Sequence, residues 1–157
     1  MDDDERLDLL LALDGVEQSP RYHPEGDALF HSLQVFDLAR RATSDSELCA
    51  AALLHDVGIF VNLRAHHNHS QYLLSVSEIF GLSRDDLAIV SNVARYHRRG
   101  LPQKSHLPYM ALDSDTRVVV NKLAAILRVA NALDADHLRK VKDLRLVQAD
   151  DAWVLEV

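Results

Sequence analysis

Apolar residues recur along most of this chain at helical spacing, and only the segment after Lys142 breaks that rhythm. Charge alternates with leucine between residues 4 and 14, which predicts a short first helix. Ser19 to Asp27, with two prolines and a glycine, reads as a loop. Asp27 is placed to cap a helix running to about Ala42, and a 3.6-residue period puts His31 on an inward face with Val35, Leu38 and Ala42. The next helix starts near Ser44 to Ser46 and is apolar nearly all round through Leu54, the signature of a fully buried central helix. Gly58 is the expected left-handed cap at its end. A loop with three histidines, Arg64 to Ser70, leads into an amphipathic helix reaching Phe80, where Gly81 stops it. Ser83 starts another through Tyr96 and His97, followed by a basic link to Pro108. The longest helix is expected from Ser114 to about Ala135, carrying Leu123, Ile126, Leu127 and Ala130. From Lys142 to Val157, Leu144, Leu146, Trp153, Val154 and Leu155 flank an Ala-Asp-Asp-Ala turn, which predicts a small β-hairpin.

The pattern therefore predicts an all-α domain spanning 1–157, with an N-terminal extension (1–19), a helical core (20–137) and a C-terminal hairpin (142–157). At 157 residues the chain is long enough to bury a full core. No apolar run approaches the roughly 20 residues needed to cross a bilayer, and the start, Met-Asp-Asp-Asp-Glu, is the opposite of a signal peptide. The single cysteine, Cys49, excludes an internal disulfide, reads as a small core residue and fits a reducing cytoplasm. A formal net charge of -7 argues against binding duplex nucleic acid, though a local basic pocket can still take a phosphate-bearing small molecule. The hairpin pattern stops in mid-strand at Val157, as where a following segment has been lost; the edge so left can pair with a second copy in a homodimer.

Chemistry concentrates at His55-Asp56, an imidazole and a carboxylate side by side at the end of the apolar helix. Most such pairs simply close a helix against solvent. Here, five of the nine histidines fall between residues 55 and 97, and further donors sit where partner ligands would be needed. In order they are His31, His55, Asp56, His69, His97 and Asp134, each from a different predicted helix or helix edge except the adjacent pair. Metal sites in helical bundles are built this way, and one carboxylate among imidazoles can bridge two divalent ions. The mixed donor set suits one or two ions of Mn, Fe, Zn, Co, Ni or Mg. No serine or cysteine nucleophile motif and no glycine-rich phosphate loop accompanies them.

His31, then His55-Asp56, then an Asp, in this order on helices, resembles the HD superfamily of metal-dependent phosphohydrolases. Tyr22-His-Pro-Glu-Gly-Asp-Ala-Leu-Phe-His31-Ser-Leu is similar to the first helix of nucleotidyltransferase-associated and stand-alone HD proteins. Leu-Leu-His55-Asp56-Val-Gly-Ile, His-His-Asn-His69-Ser, Ala-Arg-Tyr-His97-Arg-Arg and Lys-Leu-Ala-Ala-Ile-Leu-Arg-Val-Ala-Asn131-Ala-Leu-Asp134, with His137 beyond, resemble the C-terminal HD domain of exopolyphosphatases and guanosine pentaphosphate phosphohydrolases. The likeness covers residues 20–157 and implies an HD-domain helical bundle.

The resemblance implies that His31, His55 and Asp56 hold a first metal and that His69 and His97 hold a second. Asn131 departs from it: many HD proteins have an aspartate there, and an amide oxygen brings no charge. Asp134, three residues on, shares its helix face. The implied activity is hydrolysis of a phosphoester of a nucleotide or related phosphorylated small molecule through a metal-activated water, which Asp56 would orient or deprotonate. Arg98, Arg99, Lys104 and Arg128 are the expected phosphate contacts. The alternative is a non-catalytic module binding polyphosphate or a partner protein, because in exopolyphosphatases the hydrolytic chemistry belongs to a preceding domain. His66 and His67 are expected as loop or supporting residues, Glu25 and Asp27 as helix caps, Tyr96 in packing, and His23, His106 and His137 at the surface or in structure.

Overall fold

The computed structural model describes residues 8–17, 27–79, 81–133, 145–150 and 152–156. Within them the protein is a helical bundle with one antiparallel hairpin. The helices are α1 (Asp8–Leu11), α2 (Ala28–Ala42), α3 (Ser46–Leu54), a 3-10 helix (Val57–Phe60), α4 (His66–Val76), α5 (Arg84–Arg95), α6 (Leu107–Met110) and α7 (Ser114–Leu133). Strands β1 (Arg145–Ala149) and β2 (Ala152–Glu156) pair with Val147 opposite Val154. Asp150, at φ 47°, makes the turn between them, a left-handed conformation that aspartate tolerates better than most residues. Among the described residues no helix is long and apolar enough to cross a membrane.

Local polar residues set the helix starts. Asp27 Oδ1 accepts from Leu29 N (2.8 Å) and Phe30 N (3.2 Å), and its Oδ2 accepts from Gly15 N (2.7 Å). One carboxylate thus caps α2 and ties it to the turn after α1, where Gly15 takes φ +72°. Asp45 caps α3 through Leu48 N, and Ser83 with Asp86 forms a reciprocal capping box on α5. Each such cap contributes about 1 kcal/mol.

The core lies between α2, α3, α4, α5 and α7, around Leu54, Leu74, Val90, Val93 and Val120. Burying each of these side chains is worth roughly 1.5–3 kcal/mol. The central element is α5, which packs on α3, α4 and α7 and buries every residue from Val90 to Ala94. That role was expected of α3, but Glu47 to Ala50 are only half-buried, Cys49 among them; an all-apolar composition does not say which helix its neighbours enclose. On α2 the inward stripe carries His31, Ser32 and the half-buried Val35 and Ala39, while Leu38 is exposed, so the predicted face was rotated by about one position.

Gly58 is a second correction. It is not a left-handed cap: it sits inside the 3-10 helix, and its φ is not positive. A Cβ there would lie 2.2 Å from His66 O and 2.4 Å from Ser70 N, so glycine is required for the close passage of α4. The third concerns α4 itself, which begins at His66. The three histidines expected in a loop occupy its first turn.

Candidate metal centre

Four helix ends converge on one carboxylate. His31 comes from the first turn of α2, and His55 is the C-terminal cap of α3, with Asp56 immediately after it. His66 opens α4, and His97 follows the end of α5. All five side chains are buried. Ser70 joins two of these segments: its hydroxyl donates to His55 O (2.7 Å) and accepts from Gly58 N (2.9 Å). The first turn of α4 is thereby fixed to the backbone that carries His55 and Asp56.

The two oxygens of Asp56 face different imidazole pairs. Oδ2 is 3.4 Å from His55 Nε2 and 4.0 Å from His31 Nε2. Oδ1 is 3.2 Å from His66 Nε2 and 3.4 Å from His97 Nε2. These are two three-residue groups, His31–His55–Asp56 and Asp56–His66–His97, each close enough to hold a metal ion and sharing Asp56.

The rings are aimed by the backbone. Nδ1 of His55, His66 and His97 each lies within hydrogen-bond distance of a carbonyl three residues earlier, Ala52 O (2.9 Å), Leu63 O (3.0 Å) and Ala94 O (2.5 Å). With the proton donated from Nδ1, a neutral ring turns the Nε2 lone pair toward Asp56, the tautomer a metal ligand needs. His66 Nε2 and His97 Nε2 are only 3.4 Å apart. Asp56 Oδ1 is buried, and no hydrogen bond of acceptable geometry reaches it. Nitrogen lone pairs converging on a buried, unsatisfied carboxylate oxygen leave a position that a cation would satisfy, so the donor set fits a divalent ion.

The charge states of Asp56 and His97 agree with this. Burial on its own raises the Asp56 pKa, but the His55, His66 and His97 imidazoles more than offset it and hold the carboxyl well below the usual range. Burial pushes His97 down to about 3 despite the neighbouring Asp56, so the ring is neutral at physiological pH. Burial also acts to lower His66, yet its contact with Asp56 wins and raises it.

Of the residues expected at the site, His31, His55, Asp56 and His97 come together. His69 is half-buried and joins neither group; His66, expected as a loop residue, completes the second. The signal was present in the periodicity. His66, Ser70 and Leu74 recur every four residues and form the buried face of α4, whereas His69 lies off it. Asn131 is half-buried, and its amide nitrogen is 3.5 Å from His97 O, linking α7 to the segment after α5. Asp134, Glu25, His23 and His137 lie outside the described residues. Asp27 caps α2. His106 is structural, its Nδ1 within hydrogen-bond distance of the Tyr96 hydroxyl (2.8 Å), and Tyr96 is fully packed. Arg98 and Arg99 are exposed beyond His97, while Lys104 and Arg128 line a separate cleft.

A stretch is 38% identical to the multifunctional CCA protein of Thioalkalivibrio sulfidiphilus, covering 53% of this chain and 22% of that protein. Another likeness, 31% identical, is to the guanosine-5'-triphosphate,3'-diphosphate pyrophosphatase of Pseudoalteromonas translucida, covering 53% of this chain and 16% of that protein. The CCA protein of Halorhodospira halophila is 53% identical over 47 residues. The chain thus spans about a fifth or less of the length of these relatives. The family described as Ppx/GppA phosphatase, domain III, matches residues 10–157, nearly the full length, and the chain belongs to that family.

Proposed function

We propose that the protein is an HD-type metal-dependent phosphohydrolase acting on a phosphoester of a nucleotide or a related phosphorylated small molecule. The observation that carries this reading is the division of Asp56, one oxygen toward His31 and His55 and the other toward His66 and His97. His31, His55 and Asp56 would hold one ion, and Asp56, His66 and His97 a second. Divalent ions so placed supply a nucleophilic water at neutral pH and neutralise phosphate oxygens. The chain's own residues do the positioning. Asp56, kept ionised by its imidazole neighbours, supplies the shared negative charge, and the carbonyls of Ala52, Leu63 and Ala94 hold three rings in the ligating tautomer. Arg98 and Arg99, exposed just past His97, are free to meet an approaching phosphate.

The family match and the pyrophosphatase relative support a phosphorylated substrate. A second reading is a non-catalytic module that binds polyphosphate or a partner protein. It is favoured by Asn131, an uncharged amide whose nitrogen contacts the His97 backbone. Elemental mass spectrometry of the protein, of His55→Ala and of His66→Ala, followed by phosphate-release assays on nucleotides, separates the two. About two ions per chain, one lost with each variant, together with turnover abolished by His55→Ala, is the expected result. Metal content unchanged by both variants would overturn the site. Metal without turnover of any phosphoester would favour the binding module.

A further inference from the structure

A basic cleft of about 400 Å³ lies apart from the histidine centre, formed by the link after His97, α6 and α7. Lys104 and Arg128 line it, with Gln103 and Asn121 as further polar groups. Among the described residues no carboxylate lines it, although the chain carries a net charge of -7. The Tyr109 hydroxyl donates to Asn121 Oδ1 (3.1 Å), which leaves the Asn121 NH₂ as a donor. The remaining wall is apolar, with Leu101, Pro102 and Ala124. Neither cation belongs to the groups around Asp56.

We propose that this cleft is a binding site for a small organic phosphate, separate from the metal centre. A guanidinium and an ammonium with no carboxylate among the described lining residues suit a phosphate dianion, and the half-buried Arg128 loses less of its charge to solvent screening than a fully exposed group. The apolar wall suits the organic part, and the volume falls within the range of small-molecule sites. The site does not depend on hydrolysis at Asp56. It adjoins that centre through Tyr96, which lines the cleft and directly precedes His97.

The test is calorimetric titration of metal-free protein with AMP, adenosine and inorganic phosphate. AMP is expected to bind at least about tenfold more tightly than either of the others, since each lacks one half of the recognition. Lys104→Glu, at an exposed position, and Arg128→Ala are each expected to weaken AMP at least about tenfold, with Arg128→Lys retaining part of it. His55→Ala is expected to leave AMP binding unchanged. Adenosine or phosphate binding as tightly as AMP would overturn the assignment. So would AMP binding that His55→Ala abolishes and the cleft variants spare, or no binding at all. Because the metal is absent throughout, failure of the cleft is distinguishable from failure of the hydrolase reading.

Discussion

The two halves of the histidine centre hold the same carboxylate differently. His66 and His97 approach Asp56 Oδ1 at 3.2 and 3.4 Å, with their Nε2 atoms 3.4 Å from each other. His55 and His31 approach Oδ2 at 3.4 and 4.0 Å, and their ring centroids are 5.7 Å apart against 5.4 Å for His66 and His97. The tighter half therefore gathers its nitrogens more closely around one carboxylate oxygen. It is also the half that a one-residue change in where α4 begins would dismantle, because His66 occupies the first helical position. The closer contacts and the dependence on where α4 begins belong to the same half.

The largest effect is expected where the halves meet. Asp56→Ala removes the donor common to both groups, so elemental analysis should show both ions lost and turnover reduced about 10³-fold or more. Next come variants that separate the halves. His66→Ala should lower metal stoichiometry by about one ion and eliminate the tighter phase of a metal titration, whereas His31→Ala should eliminate the weaker phase. His69→Ala should leave both intact; loss of an ion in that variant would show that the comparison is drawn around the wrong residue. Gly58→Ala acts on both halves through the backbone. With a Cβ placed 2.2 Å from His66 O, chemical denaturation should report a loss of about 4 kcal/mol, accompanied by weaker metal binding.

A smaller effect should appear with pH in the metal-free protein. His97, with a folded pKa of about 3 against 6.5 unfolded, takes up a proton on unfolding throughout that window, so its contribution to stability falls as pH drops from about 6.5 toward 3. The depressed Asp56 acts in the same direction at the acid end. His66, whose pKa is raised, acts oppositely, adding stability below 6.5 that is lost as pH rises through its folded value. The net loss on acidification should be on the order of 3 kcal/mol by thermal or urea denaturation, and less in His97→Ala. A flat profile would mean that the His97 ring is not held neutral by burial.

Much of this architecture was legible in the residues. Asp27 and Ser83 mark helix starts by chemistry that acts over two or three residues, and the hairpin is marked by its Ala-Asp-Asp-Ala turn; Gly81, expected to stop α4, lies beyond its end at Val76. His31, His55, Asp56 and His97 stood out because their polarity conflicts with apolar surroundings. What could not be read was set by distant contacts. Gly58 looks like any glycine after a helix until α4 is packed over it, and α5 rather than α3 is central because of three neighbours that no local window contains. His69 was expected at the centre through the family resemblance, whereas the four-residue spacing of His66, Ser70 and Leu74 along α4 puts His66 on the buried face instead.

The hydrogen bonds from His55, His66 and His97 to the carbonyls of Ala52, Leu63 and Ala94 have a consequence for exchange. Rings oriented by their own backbone do not rely on the ion to orient them, so loading costs little conformational entropy and release need not unravel the helices. An ion held there would exchange for another within the folded state. The ion the centre carries would then follow the supply in its surroundings instead of the one present when the chain folded.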